Sequence, residues 1–544
     1  RFITPLVPFA ERRTITMKVT RKVSLVTAIL LASLLILTAC SIPESTVSTT
    51  ALTTTTKSST AASTEDTSKP DIPQEVKLKM YLLSDKPVDA DLVYAEVNKK
   101  LKQDINATVD VNFISWAEES TKYQLIFASG EDFDLVYTAN WEYYNQMAVK
   151  DAFMPITEDM LKKYAPKTFE EVPKEAWEQA KVNGNVFMVP FTKKEYNTYI
   201  AIVRGDLRAK YNLPELNCIE NVEKYLDTIA ANEKDLVPWA DLGSNKSFLI
   251  PGILNIYPNN YGEKGEKSMT YVKQTDKNSK IYSLLDKDFY NELLETYKKA
   301  AEWYQKGFWS KSALTNKSNN CDQLVAGKGA FGITNVTSLQ NYIDKIEKEH
   351  PEWKAEVYDV NFSKYAFVNS YLNNGMAIRA ISKNPERALM MLDLFRNDQS
   401  YFDLTTYGIK GKHYNLTEDG KLLSGPDQAN FEVDEACPWG WRTNLYRDNA
   451  NNSESFNRIL ENLESKSFAP PLVGFDHNPE KVKTEAAAIQ TLHEQYYNIL
   501  CLGMDADPEV RMAEWLEKLK AIGYEKYVND MQSQLEEYQK RIGN

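Results

Sequence analysis

The chain has 544 residues, more than one ordinary hydrophobic core accommodates, so two globular lobes are expected. Its formal net charge of −12 argues against nucleic acid or an anionic membrane surface as a partner. The histidines lack the spacing of a ligand pair, so neither a zinc site nor a His-based catalytic triad is predicted from His350, His413, His477 and His493.

The cysteines beyond residue 40 are widely spaced and form no CxxC pair. A body of this size does not need disulfide staples. We therefore expect unpaired thiols at Cys218, Cys321, Cys437 and Cys501. No metal and no cofactor is predicted.

The first part of the chain resembles a targeting segment. The first methionine is Met17, and residues 1–16 are interpreted as upstream sequence. Basic residues within 18–22 precede an apolar run over 23–39, which is typical of a removable secretory signal. The run is just long enough to span a bilayer, so a membrane anchor is the alternative.

The end of this run, Leu37-Thr38-Ala39-Cys40, resembles the lipobox of bacterial lipoproteins. The resemblance implies cleavage before Cys40 and lipid attachment to it, and two acyl chains would give stable anchoring. A Ser/Thr-rich tract follows over residues 45–68, and such a tract cannot bury enough apolar surface to fold. We expect a signal peptide at 17–39 and a flexible linker at 40–74.

Strands alternate with helices from residue 75 onward. Alternating or continuous apolar runs predict strands at 76–84, 107–115 and 133–137. Helices are predicted between them, at 90–104 and 117–127. Alternation of this kind indicates βαβ units and a parallel sheet, whose ligands bind at the carboxyl ends of the strands.

The rest of the chain continues as mixed α/β and ends in helices. Residues 183–190 are predicted to form a turn and a strand, and Asn384 is predicted to cap a helix. Further elements are predicted as a strand at 329–334 and helices at 204–212, 220–232, 288–306, 385–397, 479–500, 508–521 and 525–541.

Short segments in a fixed order carry a resemblance to a known family. They include residues 128–137 (ASGEDFDLVY), 203–211 (VRGDLRAKY), 326–331 (AGKGAF) and 407–414 (YGIKGKHY). The order is similar to that of the extracellular solute-binding lipoproteins of bacterial ABC importers, in the carbohydrate-type group of Gram-positive bacteria with a distinctive C-terminal region. The resemblance covers nearly all of residues 75–544.

The resemblance implies an α/β fold of the periplasmic-binding-protein type (type II), with a ligand cleft between two lobes. Lobes of such proteins close on the ligand by hinge bending. The implied division is lobe one at 75–190 and 374–414, lobe two at 191–373, and a C-terminal region at 415–544 that completes lobe two and the cleft.

A sugar site requires flat aromatic surfaces and a few polar groups that fix orientation. Residues at or after the ends of predicted strands are therefore candidates. The predicted ligand-binding residues here are Tyr81, Trp116, Glu118, Asn140 and Trp141. For each tryptophan, core or interlobe packing is the alternative, and for Glu118 a solvated helix position.

The Gly/Pro-containing loop over residues 437–444 is the second candidate, because two tryptophans in such a loop do not fit a core easily. It contributes Trp439, Trp441, Arg442 and Asn444 as predicted ligand-binding residues. Trp239, after a proline, is a further candidate from the second lobe.

The function implied is that of a lipid-anchored substrate-binding protein on the outer face of the cell membrane. It would capture an oligosaccharide or other small solute and deliver it to ABC permease subunits, without catalysis. The alternatives are a surface glycosidase, which needs two carboxylates about 5–10 Å apart across a cleft, a binding protein for peptide, amino sugar or metal chelate, and a sensor. No pair of acids at that spacing is recognisable in the chain.

Overall fold

The computed structural model describes residues 74–240, 260–265 and 267–543. The predicted upstream segment, the predicted signal peptide, the predicted linker up to residue 73 and Cys40, the predicted lipidation site, lie outside the described residues. Within the described ranges, no helix is both long and apolar enough to cross a membrane.

The strands are distributed along the whole described chain. They are β1 Val76–Leu83, β2 Ala107–Ile114, β3 Leu135–Thr138, β4 Lys181–Val182, β5 Asn185–Val186, β6 Met188–Pro190, β7 Tyr199–Val203, β8 Val237–Trp239, β9 Tyr261–Glu263, β10 Thr270–Lys273, β11 Tyr282–Ser283, β12 Gly329–Asn335, β13 Glu356–Asp359, β14 Ala366–Phe367, β15 Gly375–Ile378, β16 Tyr414–Leu416, β17 Leu422–Ser424 and β18 Ser467–Phe468.

The α-helices become longer toward the C-terminus. They are α1 Ala90–Ile105, α2 Glu119–Ala128, α3 Tyr144–Val149, α4 Glu158–Tyr164, α5 Pro166–Glu171, α6 Lys174–Gln179, α7 Gly205–Lys210, α8 Ile219–Asn232, α9 Lys287–Gln305, α10 Asn320–Val325, α11 Val336–Glu349, α12 Pro385–Asn397, α13 Gln399–Tyr407, α14 Glu454–Ser465, α15 Lys483–Cys501, α16 Pro508–Ala521 and α17 Tyr524–Gly543.

The predicted elements are confirmed, with bounds that shift by a few residues. The one incorrect detail is the cap of α12. Asn384 occupies the N-cap position, but its side chain makes no capping hydrogen bond. Its Nδ2 instead donates to Asp134 Oδ1 at 3.3 Å, because a buried carboxylate competes for the amide.

The first lobe is built on a five-stranded sheet in the order β2-β1-β3-β15-β6. Strands β1, β2 and β3 are parallel, and β15 is antiparallel to both β3 and β6. The second half of β1 is buried on both faces, as expected for a parallel strand covered by helices. Leu101 of α1 and Leu389 of α12 belong to the hydrophobic core that covers this sheet.

The second lobe contains a four-stranded sheet in the order β13-β7-β12-β8, in which β7 is antiparallel to both of its neighbours. A separate small sheet, β11-β10-β9, packs with α9 and with the C-terminal helices α15, α16 and α17 around one hydrophobic core. The predicted two-lobed α/β architecture is therefore present.

The chain passes between the two sheets three times. The segment before β7 and the segment before β15 run side by side, with a bridge between Tyr196 and Val368. The third connection lies between Trp441 of the first-lobe core and α14, whose Leu463 packs with β7 of the second lobe, and the strand that follows α14, β18, pairs in parallel with β14. Three adjacent connections form a short, hydrogen-bonded waist between the lobes.

The chain was predicted to leave the first lobe after residue 414, but the following residues still pack on that lobe. Phe431, Cys437 and Trp441 all belong to the core of the first lobe. Trp441 is fully buried against Phe395 of α12, so the chain stays on the first lobe until it has covered that helix. The C-terminal region therefore divides between the lobes.

Cys218, Cys321 and Cys437 have free thiols, as predicted. The described residues contain no group of three His, Cys, Asp or Glu side chains placed to hold a metal ion.

Candidate functional site

The carboxyl ends of β1, β2 and β3 lie at one edge of the first-lobe sheet because the three strands are parallel. The edge also contains the start of β15, which is antiparallel to β3. Trp116 follows β2 by two residues, and Trp141 follows β3 by three residues. The parallel register therefore brings two distant tryptophans to the same edge of the sheet.

Three tryptophans form a contiguous surface at this edge, which we call the aromatic shelf: Trp116, Trp141 and Trp439. The rings of Trp116 and Trp141 stack with centroids 6.3 Å apart, and Trp439 lies 5.6 Å from Trp116. Tyr137 lies beneath, with its ring 5.9 Å from Trp141 and 5.8 Å from Trp439.

The shelf is open to solvent although its rings are large and apolar. Trp116 is 42 % exposed and Trp141 is 39 % exposed, whereas Trp439 is half-buried. Exposed aromatic patches of this kind mark binding surfaces in soluble proteins. Trp141 Nε1 donates to the Asn373 carbonyl at 2.8 Å, which fixes the ring before any ligand arrives.

Trp439 reaches the shelf through a short 3₁₀ helix, Pro438–Trp441. Gly440 in this helix approaches β15 so closely that a Cβ there would lie 2.3 Å from Met376 Sδ. Only glycine permits this approach, and the approach places the neighbouring Trp439 against the edge of the sheet.

The polar candidates near the shelf differ in their surroundings. Glu118 is exposed at the start of α2, where its carboxylate contacts Ser115 Oγ at 3.2 Å and Lys122 Nζ at 3.4 Å. Asn140 is held by its backbone amide, which donates to the Leu372 carbonyl at 2.8 Å. Its side-chain Oδ1 is buried and has no hydrogen-bond partner within the described residues.

Three of the predicted ligand-binding aromatic residues do not present a ring to a ligand. Tyr81 is buried, packs on Phe133 with a centroid distance of 5.3 Å, and donates its hydroxyl to Glu131. It lies within β1 rather than after it, so its side chain belongs to the sheet. The prediction for Tyr81 is therefore corrected to a core residue.

The two other corrections are Trp239 and Trp441. Trp239 ends β8 and packs in the second-lobe core, 4.7 Å from Phe331 and 6.0 Å from Trp309. Trp441 is fully buried and its Nε1 donates to Thr405 Oγ1 at 3.2 Å. The two tryptophans of the 3₁₀ helix point in different directions, so Trp441 packs in the core and Trp439 lies on the shelf.

Arg442 is buried behind the shelf rather than exposed on it. Its guanidinium pairs with Glu195, donates from Nε to Tyr446 Oη at 3.0 Å, and lies 5.9 Å from the ring centroid of Trp439. The residue therefore supports a shelf ring from within the waist. Asn444 is exposed, two residues further along the chain.

A buried polar network that the sequence did not predict connects the shelf to the waist. Glu195 accepts from Asn373 Nδ2 at 3.2 Å and from Asn374 Nδ2 at 3.1 Å, besides pairing with Arg442. Asn374 Oδ1 in turn accepts from Tyr137 Oη at 2.7 Å. No local sequence motif identifies Glu195 as part of this network. The only sequence feature that could have indicated the network is the Asn-Asn pair directly before β15.

The waist also contains an unusual lysine. Burial and the nearby positive charge of Arg442 together lower the pKa of Lys193 to about 8, against the opposing effect of Glu195. The ammonium lies 3.9 Å from the ring centroid of Tyr446. This cation is therefore in contact with an aromatic face.

Contacts between the lobes lie close to the shelf. Lys317 Nζ, from the second lobe, donates to the Ala117 carbonyl at 3.2 Å, one residue after Trp116. Glu432 accepts from Lys345 at 2.9 Å and from Asn341 at 3.0 Å, both on α11 of the second lobe. The shelf thus lies where the two lobes meet.

Acidic groups accumulate on the same side, in the segment before the 3₁₀ helix. Burial and the neighbouring Glu432 raise the pKa of Glu435 to about 7. Burial also raises the pKa of Asp434, opposed by a hydrogen bond with Ser338 of α11. The Glu435 carboxyl can therefore accept or donate a hydrogen bond near neutral pH.

The edge of the first-lobe sheet thus combines exposed aromatic rings, an amide oxygen without a hydrogen-bond partner among the described residues, and carboxyl groups in the neighbouring segment. Aromatic surfaces with a few polar groups are features that ligand sites in general require.

Comparison with known proteins supplies independent information. Residues 87–400, more than half of the chain, match the family described as "Bacterial extracellular solute-binding protein", and residues 471–540 match a "Domain of unknown function". A "Carbohydrate ABC transporter substrate-binding protein" from Streptococcus pneumoniae is 25 % identical over 484 residues, covering 85 % of this chain and 91 % of that protein.

Solved structures resemble the whole described body. The N-glycan transport solute binding protein NgtS of S. pneumoniae, crystallised with Man5GlcNAc, aligns with a TM-score of 0.68 at 22 % identity, over 86 % of this chain and 99 % of that chain. The S. pneumoniae ABC-transporter substrate binding protein FusA, in complex with kestose, aligns with a TM-score of 0.61 at 15 % identity, over 86 % and 100 % of the two chains. At these identities, the structural likeness establishes the fold.

Proposed function

The chain belongs to the family of bacterial extracellular solute-binding proteins, and from this premise we propose that it captures an oligosaccharide for an ABC importer. The aromatic shelf is the observation that carries the proposal. Two of its three rings are exposed at the meeting point of the lobes and yet held in place by hydrogen bonding and stacking. Lobe closure would cover the glycan and present the closed protein to the permease.

The chemistry of a glycan fits this surface. A pyranose ring presents C–H groups on one face, which pack against an aromatic ring with little loss of hydration. Its hydroxyls require hydrogen-bond partners, and we propose the Asn140 side chain and the carboxyl groups of residues 434 and 435 for this role, because the first lacks a partner among the described residues and the other two precede the 3₁₀ helix that carries Trp439.

The relatives support the same substrate class. The curated relative is named as a carbohydrate-binding component of an ABC transporter, and two structural relatives were crystallised with glycans. The relatives are substrate-binding proteins and not enzymes, and we assign no catalytic step to this chain.

Isothermal titration calorimetry of the protein without its first 73 residues tests the proposal. Man5GlcNAc, kestose and an unrelated hexapeptide form the panel, and small-angle scattering with and without the glycan follows lobe closure. We expect micromolar or tighter binding of at least one glycan, with compaction. Binding of the peptide alone, or of nothing in the panel, would overturn the assignment to oligosaccharides.

We further propose that the protein is tethered to the outer face of the cell membrane through lipid on Cys40. The support is the lipobox-like sequence Leu37-Thr38-Ala39-Cys40 and the Ser/Thr-rich tract after it. A tether keeps the binding protein at high effective concentration near its permease.

Cell fractionation tests the tether. We expect Cys40→Ala to move the protein from the membrane fraction to the medium, or to leave it uncleaved, with glycan affinity unchanged. Cys218→Ala, which removes another free thiol, is the matched control and should remain in the membrane fraction. Membrane association of a processed Cys40→Ala variant would refute the tether.

A further inference from the structure

A small polar cavity lies beside the aromatic shelf, between the first lobe and the C-terminal region. One wall consists of the loop after β3 and α3, and the other of the segment before α15 together with α15 and α17. Its volume is about 30 Å³. One water molecule occupies roughly 10–15 Å³ by this measure, so the cavity has room for about two atoms of that size. Polar wall residues include Asn140, Asn145, Asp476, His477, Gln490 and Tyr527.

Two oxygen atoms on these walls are buried acceptors that make no hydrogen bond of good geometry with the described residues: Asn140 Oδ1 and Asp476 Oδ2. The other carboxylate oxygen of Asp476 accepts from the His477 backbone amide at 3.0 Å. Burial raises the pKa of Asp476 to about 6, opposed by the positive charge of Lys264, by the His477 backbone amide and by the neighbouring Asn145 side chain. A buried acceptor without a donor is costly, so both oxygens favour a partner that brings O–H or N–H groups.

The remaining wall is held rigidly. His477 hydrogen-bonds to Tyr527 Oη at 3.2 Å and to Asp530 at 2.9 Å, and its backbone carbonyl accepts from Asn145 Nδ2 at 3.1 Å. The last contact joins α3 of the first lobe to the C-terminal region. The cavity therefore has preformed walls from two parts of the chain and is complete only when they are in contact.

The cavity and the shelf share one loop. Asn140, in the cavity wall, directly precedes Trp141 of the shelf. We propose, on the basis of the proposed function, that the cavity is a specificity pocket that receives the exocyclic hydroxymethyl group of a sugar unit stacked on the aromatic shelf.

Size and chemistry select this group. A hydroxymethyl group has two heavy atoms and projects from the ring, so it fills a space that a whole pyranose cannot enter. Its hydroxyl donates one hydrogen bond to Asp476 or Asn140 and accepts another from a wall amide such as Gln490. The C-terminal region would thereby discriminate hexoses from pentoses and 6-deoxy sugars.

Calorimetry of pocket variants tests this proposal with the glycan of the panel that the unmodified protein binds best. Ala486→Leu fills the cavity, and Asp476→Asn keeps the shape but removes the charge. We expect both to weaken binding roughly tenfold or more, the loss typical of a hydrogen bond to a charged group. Glu480→Gln removes an exposed charge nearby without lining the cavity and should change affinity less than about twofold.

A ligand-side experiment makes the test independent of folding. The same glycan carrying 6-deoxy units should bind the unmodified protein more weakly, and Asp476→Asn should cause no further loss for it. Equal affinities of the glycan and its 6-deoxy analogue would overturn the pocket while leaving the proposed function intact. Absence of any glycan binding by the unmodified protein would overturn both.

A cation is the competing occupant, because two unpaired oxygens also suit calcium or magnesium. Titrations in the presence of EDTA and after addition of calcium separate the two. Glycan binding that is unchanged by EDTA supports the hydroxymethyl pocket. Binding that is lost in EDTA and restored by calcium, together with calcium binding that Asp476→Asn abolishes, would replace it with a cation site.

Discussion

Two clusters of tryptophan in the two lobes have opposite surroundings. In the first lobe, Trp116 and Trp141 stack at a sheet edge and remain 42 % and 39 % exposed. In the second lobe, Trp239, Trp303 and Trp309 pack on one another with centroids 6.0 to 6.4 Å apart, and all are buried. Similar ring geometry is thus exposed in one place, where we propose that it binds the glycan, and buried in a core in the other.

The covering of each sheet edge produces this difference. The backbone amide of Trp239 donates to the Phe308 carbonyl at 2.8 Å, so the loop after α9 covers the second cluster. At the end of β3 the Asn140 backbone amide makes a similar bond to the Leu372 carbonyl at 2.8 Å, but Trp116 and Trp141 stay partly exposed there, and the neighbouring 3₁₀ helix adds Trp439 beside them. The connecting segment in the first lobe therefore fixes the edge without covering its rings.

The largest expected effect is the loss of stability on removing a buried ring. Trp239→Ala leaves a cavity in the second-lobe core and should lower the free energy of unfolding by about 3–5 kcal/mol. Urea unfolding followed by circular dichroism measures it. Because the ring lies away from the shelf, glycan affinity measured well below the unfolding transition should stay within about twofold of the original value.

Trp239→Phe is the control for this prediction. It keeps an aromatic ring against Phe331 and should cost less than the alanine variant. A Trp239→Ala protein that is stable but unable to bind glycan would place this ring in the site and invalidate the comparison.

The second effect is a loss of affinity with a smaller loss of stability. Trp141→Ala removes a partly exposed, preoriented ring and should weaken glycan binding by about 2–3 kcal/mol, or roughly 30- to 150-fold. Stability should fall by less than for Trp239→Ala, because Trp141 is already 39 % exposed. Calorimetry measures the glycan affinity, and urea unfolding of the same preparation measures the stability. Unchanged affinity would exclude the shelf as the binding surface.

These two variants also show how far sequence patterns carry. Hydrophobic periodicity predicted the strands and helices correctly, because the spacing of apolar residues reflects which face of each element is buried. It also placed Trp116 and Trp141 after parallel strands, where they meet. It could not separate Trp141 from Trp239, since both lie at a strand end and only the distant loop near Phe308 covers one of them.

The waist illustrates the same limit for polar residues. Glu195, Asn374 and Arg442 come together from three separate connections between the lobes. No spacing along the chain encodes their contact, and Arg442 beside two tryptophans was therefore interpreted as a ligand-binding group. Trp441 was misplaced for a related reason: the orientation of a short 3₁₀ helix depends on its packing against Phe395.

A third aromatic cluster, in the C-terminal core, extends the comparison to pH. His493 stacks on Tyr497 at 4.2 Å and lies 6.1 Å from Trp515, and burial lowers its pKa to about 3. Below pH 6.5 His493 is protonated in the unfolded chain but stays neutral in the folded protein. The free energy of unfolding therefore decreases as the pH falls from about 6.5 toward the folded-state pKa of about 3. Between pH 7 and pH 5 the loss should be about 1–2 kcal/mol.

His493→Phe isolates that contribution because it keeps a ring in the stack and removes the titrating group. Urea unfolding at pH 7 and pH 5 should give a smaller difference for the variant than for the original protein. Equal differences would mean that the pH dependence arises from other groups. The aromatic shelf contains no titratable ring, so this effect should belong to the buried clusters.

The smallest expected effect comes from trimming one ring in each cluster in the same way. Trp116→Phe keeps an aromatic face on the shelf but reduces its area, and should weaken glycan binding by about 0.5–1 kcal/mol, or roughly two- to fivefold, at unchanged stability. Trp303→Phe, the matched change, removes a buried hydrogen bond from Nε1 to Glu223 at 2.6 Å and should lower stability at unchanged affinity. Calorimetry and urea unfolding give the glycan affinity and the stability of each variant. The comparison requires that Trp116→Phe loses affinity and that Trp303→Phe loses stability. A stability loss in Trp116→Phe with no change in affinity would mean that the exposed rings hold the lobes together and do not bind the glycan.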